Sequence, residues 1–175
     1  LSVGQIVYSA MCYENGTMFD DGTLLRLSET GFRWVCGDEY AGEWLKEQAK
    51  KKNFKVLIKN STDQINNLSV QGPNSRKILE KIIFTPPTQP TISELQWFRF
   101  TICRLEELNG IPLIVSRTGY TGELGYEVWC HPDHAPKVWD KVMEAGKDDG
   151  LIPAGFGALD LLRIEAGLVL FGNEF

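Results

Sequence analysis

The chain has 175 residues, 43% of them apolar and 23% charged, a balance that excludes a disordered or fibrous chain and is enough to bury roughly two-thirds of the unfolded surface in one domain or two small ones. Its 18 lysines and arginines stand against 23 aspartates and glutamates, a formal charge of -5, so no broad basic field exists to collect the phosphates of a nucleic acid. No run reaches the roughly 20 apolar residues needed to span a bilayer, and residues 1–4 lack a basic segment leading into an apolar one.

In chain order, residues 5–11 read as a strand and residues 13–17 as a turn, because Asn15-Gly16 supplies the positive φ angles of a tight hairpin. Residues 23–28 and 32–36 are two further strands joined at Glu29-Thr30-Gly31, and three strands on short turns imply an antiparallel sheet. At Asp38 the period changes. Tyr40, Ala41, Trp44, Leu45 and Ala49 recur near helical spacing, so residues 39–51 form an amphipathic helix with Asp38 as its N-cap. Lys50, Lys51, Lys52 and Lys55 then make either a solvated helix end that suits the helix dipole or a contact for an anion.

Residues 54–58 alternate as a strand, residues 68–71 form another closed by Gly72-Pro73, and residues 74–83 a short helix. The proline-rich run 85–90 marks a loop or subdomain boundary, since proline removes backbone donors and restricts its neighbour. Three more strands follow at 97–104, 111–117 and 124–129, then a helix at 135–145. A last apolar segment, 157–166, starts as helix and at Gly167 either ends or passes into a terminal strand. This order predicts an α+β fold of antiparallel sheets with helices packed on one side, built as two related subdomains at 1–84 and 85–175. A dinucleotide fold would need regular strand-helix alternation and a GxGxxG turn, and both are missing.

The four cysteines, Cys12, Cys36, Cys103 and Cys130, have neither zinc spacing nor the density of a disulfide scaffold. They read as free thiols in a reducing compartment, the cytoplasm, and with only His131 and His134 beside them no metal site is expected. The densest candidate site is Arg117-Thr118-Gly119-Tyr120-Thr121-Gly122-Glu123-Leu124-Gly125-Tyr126-Glu127, whose glycines permit tight turning and close ligand approach. Glu123 at its rim is either a solvated hairpin residue or a carboxylate facing two parallel N–H donors, such as those of a pterin or guanine edge.

Asp20-Asp21 is either a turn or a ligand-facing acid; in extended backbone the two point to opposite faces, so one of them reaches a ligand. Arg163, in an otherwise apolar segment, either satisfies Asp160, Glu165 or backbone carbonyls or clamps a ligand carboxylate. Tyr8, Trp97 and Tyr120 are either core aromatics or a flat wall for a ring. Residues 69–73 are a further positioning turn.

Asn15-Gly16 with Phe19-Asp20-Asp21, then Leu68-Ser69-Val70-Gln71-Gly72-Pro73, the 117–127 run, and finally Leu162-Arg163-Ile164-Glu165-Ala166-Gly167 with Gly172-Asn173 resemble the aminomethyltransferase (T-protein) family of the glycine cleavage system and its relatives in folate-dependent demethylation. The resemblance covers nearly the whole chain. It implies a tetrahydrofolate cradle in which Glu123 binds the pterin edge, Asp20 lies near the folate nitrogens that receive the one-carbon unit, with Asp21 as the alternative, and Tyr120 and Tyr8 shape the pocket. Arg163 assists near the folate or holds the fold.

The implied reaction passes an aminomethyl group from the dihydrolipoyl arm of a carrier protein to tetrahydrofolate, releasing ammonia. A small one-carbon donor other than that arm defines a second reading, a demethylase of an amine or sulfonium compound. A third is a non-catalytic folate-binding protein of iron-sulfur cluster maintenance, whose cysteine-containing signature residues 163–167 do not match. Leu159 stands where many T-proteins carry arginine, which leans toward the demethylase-like branches. The chain starts at Leu1 rather than methionine and ends just after an apolar segment, so a fragment lacking an N-terminal segment and a C-terminal domain, inactive alone, is expected.

Overall fold

The computed structural model describes residues 1–174, and Phe175 lies outside them. Two compact units, Leu1–Thr62 and Asp63–Phe175, make up the chain. The first is a three-stranded antiparallel sheet, β1 (Ile6–Cys12), β2 (Met18–Arg26) and β3 (Phe32–Cys36) in that order, followed by helix α1 (Tyr40–Lys51). Its first turn is built as its residues dictate: Asn15 Oδ1 accepts from the Thr17 amide at 3.1 Å and Gly16 takes φ +87°. Asp38 Oδ1 accepts from the Tyr40 amide at 2.8 Å, which satisfies one of the free donors at the start of α1.

β2 begins five residues earlier than its sequence pattern predicts, and Asp20 and Asp21 therefore lie in a strand and not in a turn. The expected strand at 54–58 does not form: the segment is irregular, Leu57 is 93% exposed, and the sheet ends at β3. Alternating side chains make a strand only where another strand takes the backbone hydrogen bonds.

The second unit is a five-stranded antiparallel sheet in the order β4-β8-β7-β6-β5, with β4 Asn66–Gln71, β5 Ile83–Phe84, β6 Phe100–Leu105, β7 Pro112–Ser116 and β8 Gly125–Cys130. Helix α2 (Ser75–Glu80) links β4 to β5, and the proline-rich run lies between β5 and β6. Helices α3 (Ala135–Gly146) and α4 (Phe156–Glu165) follow β8.

One sheet face presents Leu68, Val70, Cys103, Leu105, Leu113, Val115, Tyr126, Val128 and Cys130, and packs with Leu79 of α2 and Val138 and Val142 of α3 into a continuous core. The period-two apolar pattern thus sets the register and the covered face. The opposite face carries Asn67, Ser69, Gln71, Ser116 and Glu127.

No terminal strand follows α4. Gly167 at φ +72° stops the helix, and the Leu168 amide returns to the Arg163 carbonyl at 2.8 Å. Among the described residues no helix is long and apolar enough to cross a membrane, and no cluster of three or more His, Cys, Asp or Glu is placed to hold a metal.

Candidate functional site

In the first unit the alternation of β2 separates the two aspartates. Asp20 is 3% exposed. One of its oxygens accepts from the Asp21 amide at 2.9 Å and the other from the Asp38 amide at 3.3 Å, and no cation pairs with it among the described residues. Burying a carboxylate without a counter-ion is costly, and two amide donors offset only part of that cost.

Asp20 acts in turn on Cys36: burial first, then the hydrogen bond and charge of Asp20, push that thiol up to about 11. Asp21 points to the other face and accepts from the Tyr8 hydroxyl at 2.5 Å. Two of the residues singled out by sequence, Tyr8 and Asp21, therefore meet side chain to side chain, while the Asp20 carboxylate lies on the opposite face and, of these two, accepts only from the Asp21 backbone amide.

In the second unit the glycine-rich bend joins β7 to β8 and is held from below by a ladder of polar side chains. Trp129 Nε1 donates to Ser116 Oγ at 3.0 Å, and Ser116 Oγ shares a proton with Thr118 Oγ1 at 2.7 Å. The Thr118 hydroxyl donates to Glu127 Oε2, while Asn67 Nδ2 donates to Glu127 Oε1 at 2.7 Å. Gln71 Nε2 adds bonds to the carbonyls of Thr118 at 3.3 Å and Tyr126 at 3.1 Å.

Glycine is required here by space as well as by φ. A Cβ on Gly119 or Gly125 would meet the Gln71 amide, and one on Gly122, at φ +75°, would lie 2.5 Å from the Ala166 side chain. Glu123 caps this rigid base, exposed and with no hydrogen-bond partner among the described residues.

Tyr120 and Arg163 converge on the segment after α4. The Tyr120 hydroxyl donates to the Val169 carbonyl. Arg163, 3% exposed, donates to Asp160 at 2.8 Å, to Glu174 at 2.5 Å and to the Leu168 carbonyl at 3.3 Å. The Glu174 hydrogen bond first, with Asp160 adding, holds its guanidinium above the ordinary value. Arg163 thus clasps residues 168–174 against α4, the fold-holding one of its two roles, while Leu162 and Ile164 beside it are exposed.

Sequence reasoning missed the ladder of Asn67, Ser116, Thr118, Glu127 and Trp129. Its signal was the alternation of Ser116 and Thr118 at the end of a strand whose intervening residues are apolar or bulky. That signal marks a polar sheet face, yet it does not name partners up to 60 residues away in sequence.

With this geometry in hand, residues 1–175 match the family model described as GCVT N-terminal domain. The chain is 54% identical over 175 residues to the trimethylamine-oxide aldolase of Ruegeria pomeroyi, covering all of this chain and 22% of that protein. It is 37% identical over 177 residues to the aminomethyltransferase of Natranaerobius thermophilus, covering 99% of this chain and 46% of the relative. Among solved structures, the glycine cleavage system aminomethyltransferase T from Bartonella henselae aligns with a TM-score of 0.74 at 26% identity, over 100% of this chain and 44% of that one. The chain spans less than half the length of each of these proteins.

Proposed function

We propose, from the premise that the chain belongs to the GCVT N-terminal domain family, that it is the tetrahydrofolate-binding part of a one-carbon transferase. The observation that carries this reading is an exposed Glu123, unpartnered among the described residues, on a bend whose backbone is held by Gln71 at the Thr118 and Tyr126 carbonyls and braced by the Thr118–Glu127 hydrogen bond. A carboxylate so placed matches the two parallel N–H donors of a reduced pterin, and a fixed base means little order is lost on binding. On this reading Glu123 would accept from the pterin, and Tyr120, whose hydroxyl donates to the Val169 carbonyl, would bound it. Arg163 acts indirectly by holding the segment to which Tyr120 is bonded.

Tetrahydrofolate supplies the nitrogen nucleophile that takes up the one-carbon unit. The protein's share is placement of the reacting atoms, which can lower the barrier by several kcal/mol. Asp20 is proposed, from the family resemblance, as the acid that orients the accepting nitrogen and offsets the positive charge that develops there; its carboxylate is buried and pairs with no cation among the described residues. Asp21, which accepts from the Tyr8 hydroxyl on the face of β2 opposite Asp20, is assigned to the rim.

For the donor, the reading follows the aminomethyltransferase relatives: an aminomethyl group on a lipoylated carrier protein, transferred in the cytoplasm with release of ammonia. A second reading, transfer from a small methylated amine, is favoured by the 54% identity to a protein named trimethylamine-oxide aldolase. A single-turnover assay on the full protein containing this chain separates them. Methylene-tetrahydrofolate and ammonia formed from the aminomethyl-loaded carrier support the first reading. Turnover only with a methylated amine donor overturns it in favour of the second, and no turnover with either overturns both.

A further inference from the structure

We propose that the first unit carries, on the solvent face of α1, a binding site for a small alkylammonium cation, walled by Tyr13, Tyr40 and Trp44 and flanked by the carboxylates of Glu14 and Glu47. These residues line a groove of about 400 Å³, a size found among small-molecule sites, which run from about 300 to 1,000 Å³.

The helix builds one wall. Tyr40, Trp44, Glu47 and Lys51 recur at spacings of four, three and four, so they form a single stripe along α1. The turn between β1 and β2 builds the other with Tyr13 and Glu14. Phe19 of β2 anchors both: its ring centroid lies 4.9 Å from that of Tyr13, 5.7 Å from that of Tyr40 and 5.0 Å from that of Trp44. Three aromatic side chains are thereby held in place before any ligand arrives.

A packing role alone would bury these rings, since aromatic burial is a large source of stability. Tyr13 and Tyr40 instead remain 41% and 43% exposed. The groove's charge selects its occupant: two carboxylates face one ammonium, that of Lys51 in the last turn of α1.

A metal ion is a poor match, because the described residues offer no cluster of three ligating side chains and aromatic faces do not coordinate hard cations. A methylated ammonium suits both features at once. It is bulky and weakly hydrated, it is attracted to the negative faces of aromatic rings, and the flanking carboxylates add long-range attraction.

The test is calorimetric titration of the 175-residue chain, at low salt, with choline and with its neutral isostere 3,3-dimethylbutan-1-ol. Choline is expected to bind with a Kd on the order of 1 mM, and the isostere about two- to fivefold more weakly, the worth of a cation–π contact at a half-exposed ring. Tyr40→Phe keeps the ring and keeps binding, whereas Tyr40→Ala and Glu47→Gln each weaken it. Equal binding of choline and the isostere, or no saturable choline binding up to about 100 mM, overturns the proposal. So does an unchanged affinity in Glu47→Gln, a variant that leaves the aromatic packing intact and decides the matter even if Tyr40→Ala fails to fold. A trimethyllysine peptide that bound more than about tenfold tighter than choline would overturn the assignment to a small molecule and move it to a protein partner.

Discussion

The side-chain oxygen of Gln71 lies 1.6 Å from the point where a Cβ on Gly125 would stand. The end of β4 and the start of β8 are therefore interlocked: the amide fills the room that the missing side chain leaves, and donates to the Thr118 and Tyr126 carbonyls from that position. Gly125→Ala is expected to expel the amide, break both bonds and destabilise the chain by about 1–3 kcal/mol, read by urea unfolding. In a Gln71→Ala background the same substitution costs less, so the double-mutant cycle shows a coupling of about 0.5–3 kcal/mol; strict additivity would show that the two residues are not locked.

The polar ladder beneath the bend makes a separate prediction. Glu127 accepts from Thr118 and Asn67. Thr118→Val keeps the shape, removes a donor from the carboxylate and leaves the Ser116 hydroxyl without its acceptor, for an expected loss of about 1–3 kcal/mol. Because Ser116 also accepts from Trp129 Nε1, the Trp129 indole N–H resonance should shift in the NMR spectrum of Thr118→Val and stay unmoved in an exposed control such as Glu107→Gln.

Acid should release the segment after α4. The Leu170 amide first, and then Arg163, hold Glu174 below its ordinary value of 4.5. A carboxylate whose folded pKa lies below its unfolded one contributes stability that is fully present above the unfolded value and lost as pH falls through the folded one. Hydrogen exchange at the Leu170 amide should therefore accelerate, relative to the sheet, as pH drops below 4.5, and Glu174→Gln should abolish that pH dependence.

Cys36 reports on Asp20. With its thiol pushed up to about 11 from an ordinary 9.0, less thiolate is present at pH 8 than for an unperturbed cysteine, and alkylation slows accordingly. Asp20→Asn removes the carboxylate's charge and changes its hydrogen bond, so alkylation of Cys36 should speed up. It should remain slower than for a free thiol, because burial is the larger cause. An unchanged rate, followed by mass spectrometry of the Cys36 peptide, would show that Asp20 does not act on the thiol.

Much of this architecture was legible in the residues. The sheets followed from period-two apolar runs between Asn-Gly and Gly-containing turns, and α1 from its 3.6-residue stripe. Residues 54–58 failed because alternation describes what a strand would bury and not whether a partner strand exists. Asp20 and Asp21 looked like a turn because two acids before a glycine are turn chemistry; pairing with Met11 and Ala10 of β1 overrides that local preference. Arg163 shows the same limit in reverse. Its position in an apolar segment named Asp160 as a partner but not Glu174, which comes from beyond the helix, and α4 buries the arginine and exposes Leu162 and Ile164, because Asp160 and Glu174 neutralise the guanidinium where it lies. The pairing within the ladder around Glu127 could not be read because its members come from three strands and the bend.

The folate assignment stands or falls on Glu123, and a titration of tetrahydrofolate into the full protein containing this chain, beside its Glu123→Gln form, tests it most directly. The account predicts saturable binding weakened by about 1–3 kcal/mol on substitution, with the melting temperature unchanged because Glu123 is exposed and makes no hydrogen bond among the described residues. Equal affinity in both forms would contradict it.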